Sequence, residues 1–208
     1  MIVTNSSSHP EDIKPGKDRW SIKTSFIKKQ KIKNVALVKL LSLDNPIEKS
    51  SKEFDDKRIA NSVNGLKEGD LITTKGWMKL VAFENKNGGD GDYHIQLRSD
   101  SLWAYTCLIV EIPMSEFIKD DKALRDSCKN AREFICAKIL KDKNKEPASG
   151  GNVIGKAYVS VTGALFFDAH HINANPLRGK KGNQKKTMSS YTCWELHPVI
   201  HIEFAMRP

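Results

Sequence analysis

The hydrophobic pattern of this chain has period two in several separate runs and a helical period in one stretch. LITTKGWMKLVAFE (71–84) is rich in β-branched and aromatic residues and ends in NKNGGDGD, the densest turn signal in the sequence. DYHIQLR (92–98) reads as the returning strand, so the two predict a hairpin. LWAYTCLIVEIP (102–113) is a further strand run stopped by Pro113, KAYVSVTGALFFD (156–168) is another, and WELHPVIHIEF (194–204) is the last. VALVKLLSL (35–43) is an apolar run of strand length, closed by Asp44-Asn45-Pro46. Over 120–141 the period changes. Leu124, Cys128, Ala131, Ile135 and Ile139 recur at steps of four, three, four and four, which predicts a helix with one buried face. Lys122, Arg125, Lys129, Arg132 and Lys138 fall on its other sides, and Asp120 and Asp121 suit its first turn. A short helix ending at Gly65 fits within 47–67.

With 92–113 supplying strand 3, broken at Ser99-Asp100, this order of elements predicts a mainly β fold, a five-stranded OB-like Greek-key barrel with one helix between strands 3 and 4. The rival is an α+β sandwich with the helix packed on an open antiparallel sheet. Residues 1–18, polar and punctuated by Pro and Gly, read as a flexible arm. Residues 19–208 read as a single domain with a basic loop at 169–193.

Charge adds a partner to this picture. With 34 Lys and Arg against 25 Asp and Glu, the formal charge is +9, which favours nucleic acid or another acidic surface. A basic protein with no such partner is the blander reading. No signal-type apolar region opens the chain, and no run has bilayer length, so no membrane is expected and the cytoplasm is. Cys107, Cys128, Cys136 and Cys193 form no CxxC pair and are few for a disulfide scaffold. GxxxxGK[ST], GxGxxG and GxSxG are all absent, so nothing supports nucleotide hydrolysis, dinucleotide binding or an esterase elbow, and no cofactor is implied.

Five blocks carry a resemblance: RWSIKT (19–24), DGDYHIQL (90–97), VEIP (110–113), VTGALFFDAHH (161–171) and WELHPVIHIEF (194–204). In that order they resemble a family of uncharacterised bacterial proteins with RWxxKT, DYHI, GxxFFDxxH and ELHPV blocks. The resemblance implies an OB-like barrel, with nucleic-acid binding suggested by fold analogy alone. The chain departs from the family after Asp168, where it has a longer basic loop in place of a short Gly-Gln-Gly-Asn turn.

Three sets of residues are candidates for chemistry. In the loop, Arg178, Lys180, Lys181, Lys185 and Lys186 lie among Gly and Asn with no acid between them, and would neutralise phosphates without reading sequence. A merely solvated basic loop looks the same. On the hairpin, alternation puts Lys75, Trp77 and Lys79 on one side of the first strand, and His94, Gln96 and Arg98 on one side of the second. A shared face would surround an indole with cations, as single-strand binders do. An ordinary solvent face with a half-buried Trp competes with that reading, because register is not legible.

The third set is His94, His170, His171, His197 and His201, with Asp92, Asp168, Glu195 and Glu203 near them in sequence. On the last strand Glu195, His197, His201 and Glu203 share a side by period two. Such residues bind metals or move protons. There is no HExxH or tight cluster, so no metal is expected, with His94, His170, His171 and His197 as the candidates if one binds. His171, Asn183 and His197 also look like a His-Asn-His nuclease set, but that motif needs its final His on a helix, and Pro198 and VIHIEF read as strand. The leading expectation is therefore a nucleic-acid-binding domain, for single strands, leaning away from an enzyme. A metal-dependent phosphodiesterase built on the late histidines, with catalytic residues unassigned, is the alternative, and a protein-interaction module is the third reading.

Overall fold

The computed structural model describes residues 19–46, 57–84, 90–99, 107–173 and 192–207. The elements in chain order are α1 (Trp20–Lys23), β1 (Lys33–Asn34), α2 (Leu37–Leu41), β2 (Leu71–Phe83), β3 (Tyr93–Arg98), β4 (Cys107–Ile112), α3 (Lys122–Phe134), β5 (Asn152–Phe167) and β6 (Trp194–Phe204). A π-helical turn at Ile135–Ile139 extends α3, and short 3₁₀ turns lie at Ser115–Phe117 and Ala169–Asn173. None of the described helices is long and apolar enough to cross a membrane.

The strands form one six-stranded mixed sheet, β1-β2-β3-β4-β6-β5, in which β2 pairs with β5 as well, so the pairings from β2 return to β2. The β2–β3, β3–β4, β5–β6 and β2–β5 pairs are antiparallel, while β4–β6 and β1–β2 are parallel. The predicted strands 71–84, 92–98, 156–168 and 194–204 are all present. The helix, however, lies between the fourth and fifth strands rather than the third and fourth, because the run 92–113, expected to supply one strand, forms two, β3 and β4.

The run 35–43 is corrected from strand to helix. Its buried leucines, Leu37, Leu40 and Leu41, stand at helical spacing, with Val38 exposed between them. A strand pattern fits the same composition, and packing decided between the two. The helix expected to end at Gly65 is absent over 57–65, where Val63 and Leu66 form an isolated bridge around Asn64 and Gly65, both at positive φ. Its earlier part lies outside the described residues, as do the arm 1–18, the loop cations Arg178, Lys180, Lys181, Lys185 and Lys186, and Asn183.

α3 is set by the residues that predicted it. Asp121 caps it, accepting from the Leu124 N–H at 3.0 Å. Leu124, Cys128, Ala131 and Ile135 are buried, but Ile139 is only partly so. The wider π turn slips the period, bringing Cys136 inward beside Ile135. Arg132, expected on the solvent side, is buried. Its guanidinium lies 3.6 Å from the Tyr93 ring centroid and donates to the Gly91 and Ile112 carbonyls. Ile135→Ala should cost about 2–5 kcal/mol by cavity formation. Denaturant melts that leave it within about 0.5 kcal/mol of wild type, the scale of a surface substitution, would show that this face does not pack the core.

Candidate functional site

Inward-facing residues of the strands, among them Met78, Val81, Tyr93, Ile95, Leu97, Val110 and Leu196, build one apolar core. By alternation the intervening residues of β3, β4 and β6, His94, Glu111, Glu195 and His197, point to the opposite face. They are nonetheless buried, so charge and imidazole are packed on the outside of the sheet. Register brings them together: His94 on β3 opposes Glu111 on β4, and β6 runs parallel to β4 with Ile109 beside Glu195.

Glu111 is the hub. Its Oε1 lies 2.8 Å from His94 Nδ1, and its Oε2 lies 2.9 Å from His197 Nδ1. The other side of the His197 ring, Nε2, is 3.1 Å from Asp92 Oδ2. Neither ring nitrogen of His197 is in hydrogen-bonding geometry, and Asp92 Oδ2 and His94 Nε2 are also buried without a hydrogen-bond partner. Glu84, whose side chain is one-third exposed, approaches His94 Nδ1 at 3.4 Å. Among the described residues, Glu84, His94 and Glu111 form one group able to hold a metal ion, and Asp92, Glu111 and His197 form a second.

α1 closes over one side. Lys23 Nζ is 3.6 Å from Asp90 Oδ2, and the cations of Arg19 and Lys23 lie 5.1 and 5.8 Å from the Phe166 ring centroid. The same ring packs edge-on to His197 at 5.7 Å. Asp168, which follows β5, pairs with His171.

The electrostatics follow from this crowding. Burial alone would lower both imidazoles, but hydrogen bonding to Glu111 and Glu84 raises His94 to about 9, and Asp92 and Glu111 raise His197 to about 10. Burial would raise Glu111, yet the two histidines hold it well below the usual carboxylate range. Asp90 is pushed up to about 7 by burial and then by Asp92 and Glu111. Lys23, despite burial, is pushed up by Glu111, Asp168, Asp90 and Asp92.

Of the histidines singled out in the sequence, the structure thus joins His94 and His197. His171 is held by Asp168 and does not belong to either three-residue group. His201 and Glu203, although on the expected strand, form an exposed pair 3.5 Å apart. Glu84, Asp90, Glu111 and Lys23 were not anticipated as site residues. The available signal was that four of the five sequence blocks, DGDYHIQL, VEIP, WELHPVIHIEF and RWSIKT, each carry at least one charged or imidazole residue of this cluster.

The hairpin cations lie further along β2 and β3. Trp77 on β2 opposes Arg98 on β3 and Tyr158 on β5, and its ring lies 5.2 Å from that of Tyr158. The Arg207 guanidinium lies 5.1 Å from the Trp77 centroid. Lys75 is exposed beside them, while a β-bulge between Met78 and Leu80 shifts the register at Lys79 and puts Leu80 opposite Gln96. His94 and Gln96, expected on a solvent face with Arg98, are buried. Among known protein families, curated proteins and solved structures, none matches this chain.

Proposed function

We propose that this chain is an OB-like barrel that binds nucleic acid, single strands in particular, through backbone charge and stacked aromatic rings. The closed series of pairings β2-β3-β4-β6-β5, with a helix between β4 and β5, supports the OB-like reading if β1 is set aside as an addition. The observation that carries the function is the Trp77–Tyr158 pair, bordered by Lys75, Arg98 and Arg207. A cleft of about 480 Å³, lined in part by Val35, Val38, Lys75, Ser99 and Tyr158, opens beside it. Aromatic faces accept any base, and cations next to them meet the phosphates, which suits single strands without sequence preference.

Titration at several salt concentrations tests this. Lys75→Ala with Arg98→Ala should flatten the slope of log K against log salt by about 1.4, at about 0.7 per lost phosphate contact. Trp77→Ala should weaken binding by about 1–3 kcal/mol with the slope nearly unchanged, because stacking releases no counterions. Wild-type protein with no affinity for DNA or RNA at low salt refutes the reading.

A second reading, a metal-dependent phosphodiesterase, is favoured by the His94–Glu111–His197 cluster. Carboxylates on an OB-like barrel's ligand face would repel phosphates unless cations lie between them. Divalent-metal-dependent cleavage of single-stranded DNA or RNA, lost in Glu111→Ala, is its test.

A further inference from the structure

A buried ion pair repays its desolvation only in good geometry, with its remaining polar atoms satisfied. Glu111 divides its two oxygens between two histidines, at 2.8 and 2.9 Å. Around it stand two sets of the same composition, one imidazole and two carboxylates each: Asp92, Glu111 and His197, and Glu84, His94 and Glu111. In each set the ligand atoms lie within 4.8 Å of one another. An ion at roughly 2.0–2.2 Å from nitrogen and oxygen ligands needs them up to about twice that apart, so small side-chain movements would complete either position.

The decisive detail is His197. Its side chain is fully buried between Asp92 and Glu111, yet both ring nitrogens are without a hydrogen bond, and the Asp92 oxygen facing it is unsatisfied too. A metal ion can bind only one of the two ring nitrogens and would take the place of the proton held there, drawing the Asp92 and Glu111 carboxylates to a partner better aligned than the ring now gives them.

We propose that Glu111 is the common ligand of two divalent transition-metal positions, one completed by Asp92 and His197 and the other by Glu84 and His94. Mixed imidazole and carboxylate ligands without thiolate suit zinc, manganese or iron(II) better than calcium or magnesium. Asp90 is left out because Lys23 faces it at 3.6 Å. Entry is at Glu84, the one partly exposed member. The inference goes beyond nucleic-acid binding and does not depend on it.

The test uses the full chain, stripped with chelator and then titrated with Zn²⁺, Mn²⁺ or Co²⁺ with no nucleic acid present. Two Zn²⁺ per chain are expected. Glu111→Gln, which keeps the size of the side chain, should weaken both positions at least about tenfold, the scale on which even supporting contacts around a metal act. His197→Ala should remove one ion and His94→Ala the other, while His201→Ala on the exposed strand end should remove none. Loss of a single ion by both Glu111→Gln and His197→Ala, with His94→Ala unaffected, overturns the shared arrangement. Should the variants fail to fold, wild-type protein still decides: Co²⁺ bound here shows the visible bands of imidazole ligation. A Co²⁺ spectrum no different from the free ion in buffer overturns the proposal and leaves the cluster an ion-pair network.

Discussion

Replacing Arg19 with Met should destabilise the fold by about 3–5 kcal/mol, the scale on which removing one partner of a buried ion pair acts. Arg19 Nη1 and Nη2 meet Glu68 Oε1 and Oε2, each at 2.7 Å, in a fully buried fork. Both partners are then further satisfied. Arg19 donates to the Phe167 and Lys57 carbonyls, and Glu68 accepts from the Ile59 and Phe167 N–H groups. One pair therefore fastens the segment before α1, the chain around 57–59 and the end of β5 together. Glu68→Gln should cost a comparable amount, because the guanidinium stays buried without its counter-charge. The double variant Arg19→Met, Glu68→Gln should cost less than the sum of the two, which a double-mutant cycle in urea would measure. Additive effects, or an Arg19→Met loss below about 1 kcal/mol, would show that the pair does not hold these segments.

Metal-free protein should lose stability as the pH rises from neutral to about 10, by an amount on the order of a few kcal/mol. His94 and His197 stand in the fold at about 9 and about 10, against an ordinary value of 6.5. Between 6.5 and those values the folded chain holds protons that the unfolded chain has released, so unfolding is favoured by raising the pH. The stability is fully present below 6.5 and lost as the pH passes through the raised values. Asp90, raised from 3.8 to about 7, acts in the same direction but at lower pH. Glu111 acts oppositely: held low in the fold, it contributes above 4.5 and its contribution is lost on acidification. Urea midpoints in chelator from pH 6 to about 10 read this out. His197→Asn should flatten the alkaline limb, and a midpoint that is already flat in wild type would mean that both imidazoles are neutral in the fold.

The sequence by itself determined β2, β3, β5, β6 and the long helix, because their patterns are local. The β-branched and aromatic residues over 71–83 and 156–167 and the stripe Leu124, Cys128, Ala131, Ile135 are each read within one stretch of chain. It did not determine 35–43, where Leu37, Leu40 and Leu41 suit a helix and the apolar composition suits a strand. Contact with the rest of the molecule chose the helix. Arg132 shows a related limit. Its place on the helical wheel is solvent-facing, and only the Tyr93 ring and two carbonyls brought in by β3 and β4 make burial of a guanidinium favourable.

The site divides in the same way. His94 and His197 were visible as residues able to bind metal, since chemistry belongs to the side chain. Their meeting was decided by the parallel pairing of β4 with β6 and the opposition of His94 and Glu111, a register that no local pattern specifies. Glu111 in particular lies in a run, CLIVEI, that reads as an interior strand with one acid near its end. It becomes the centre of the cluster because tertiary structure places one histidine against each of its oxygens.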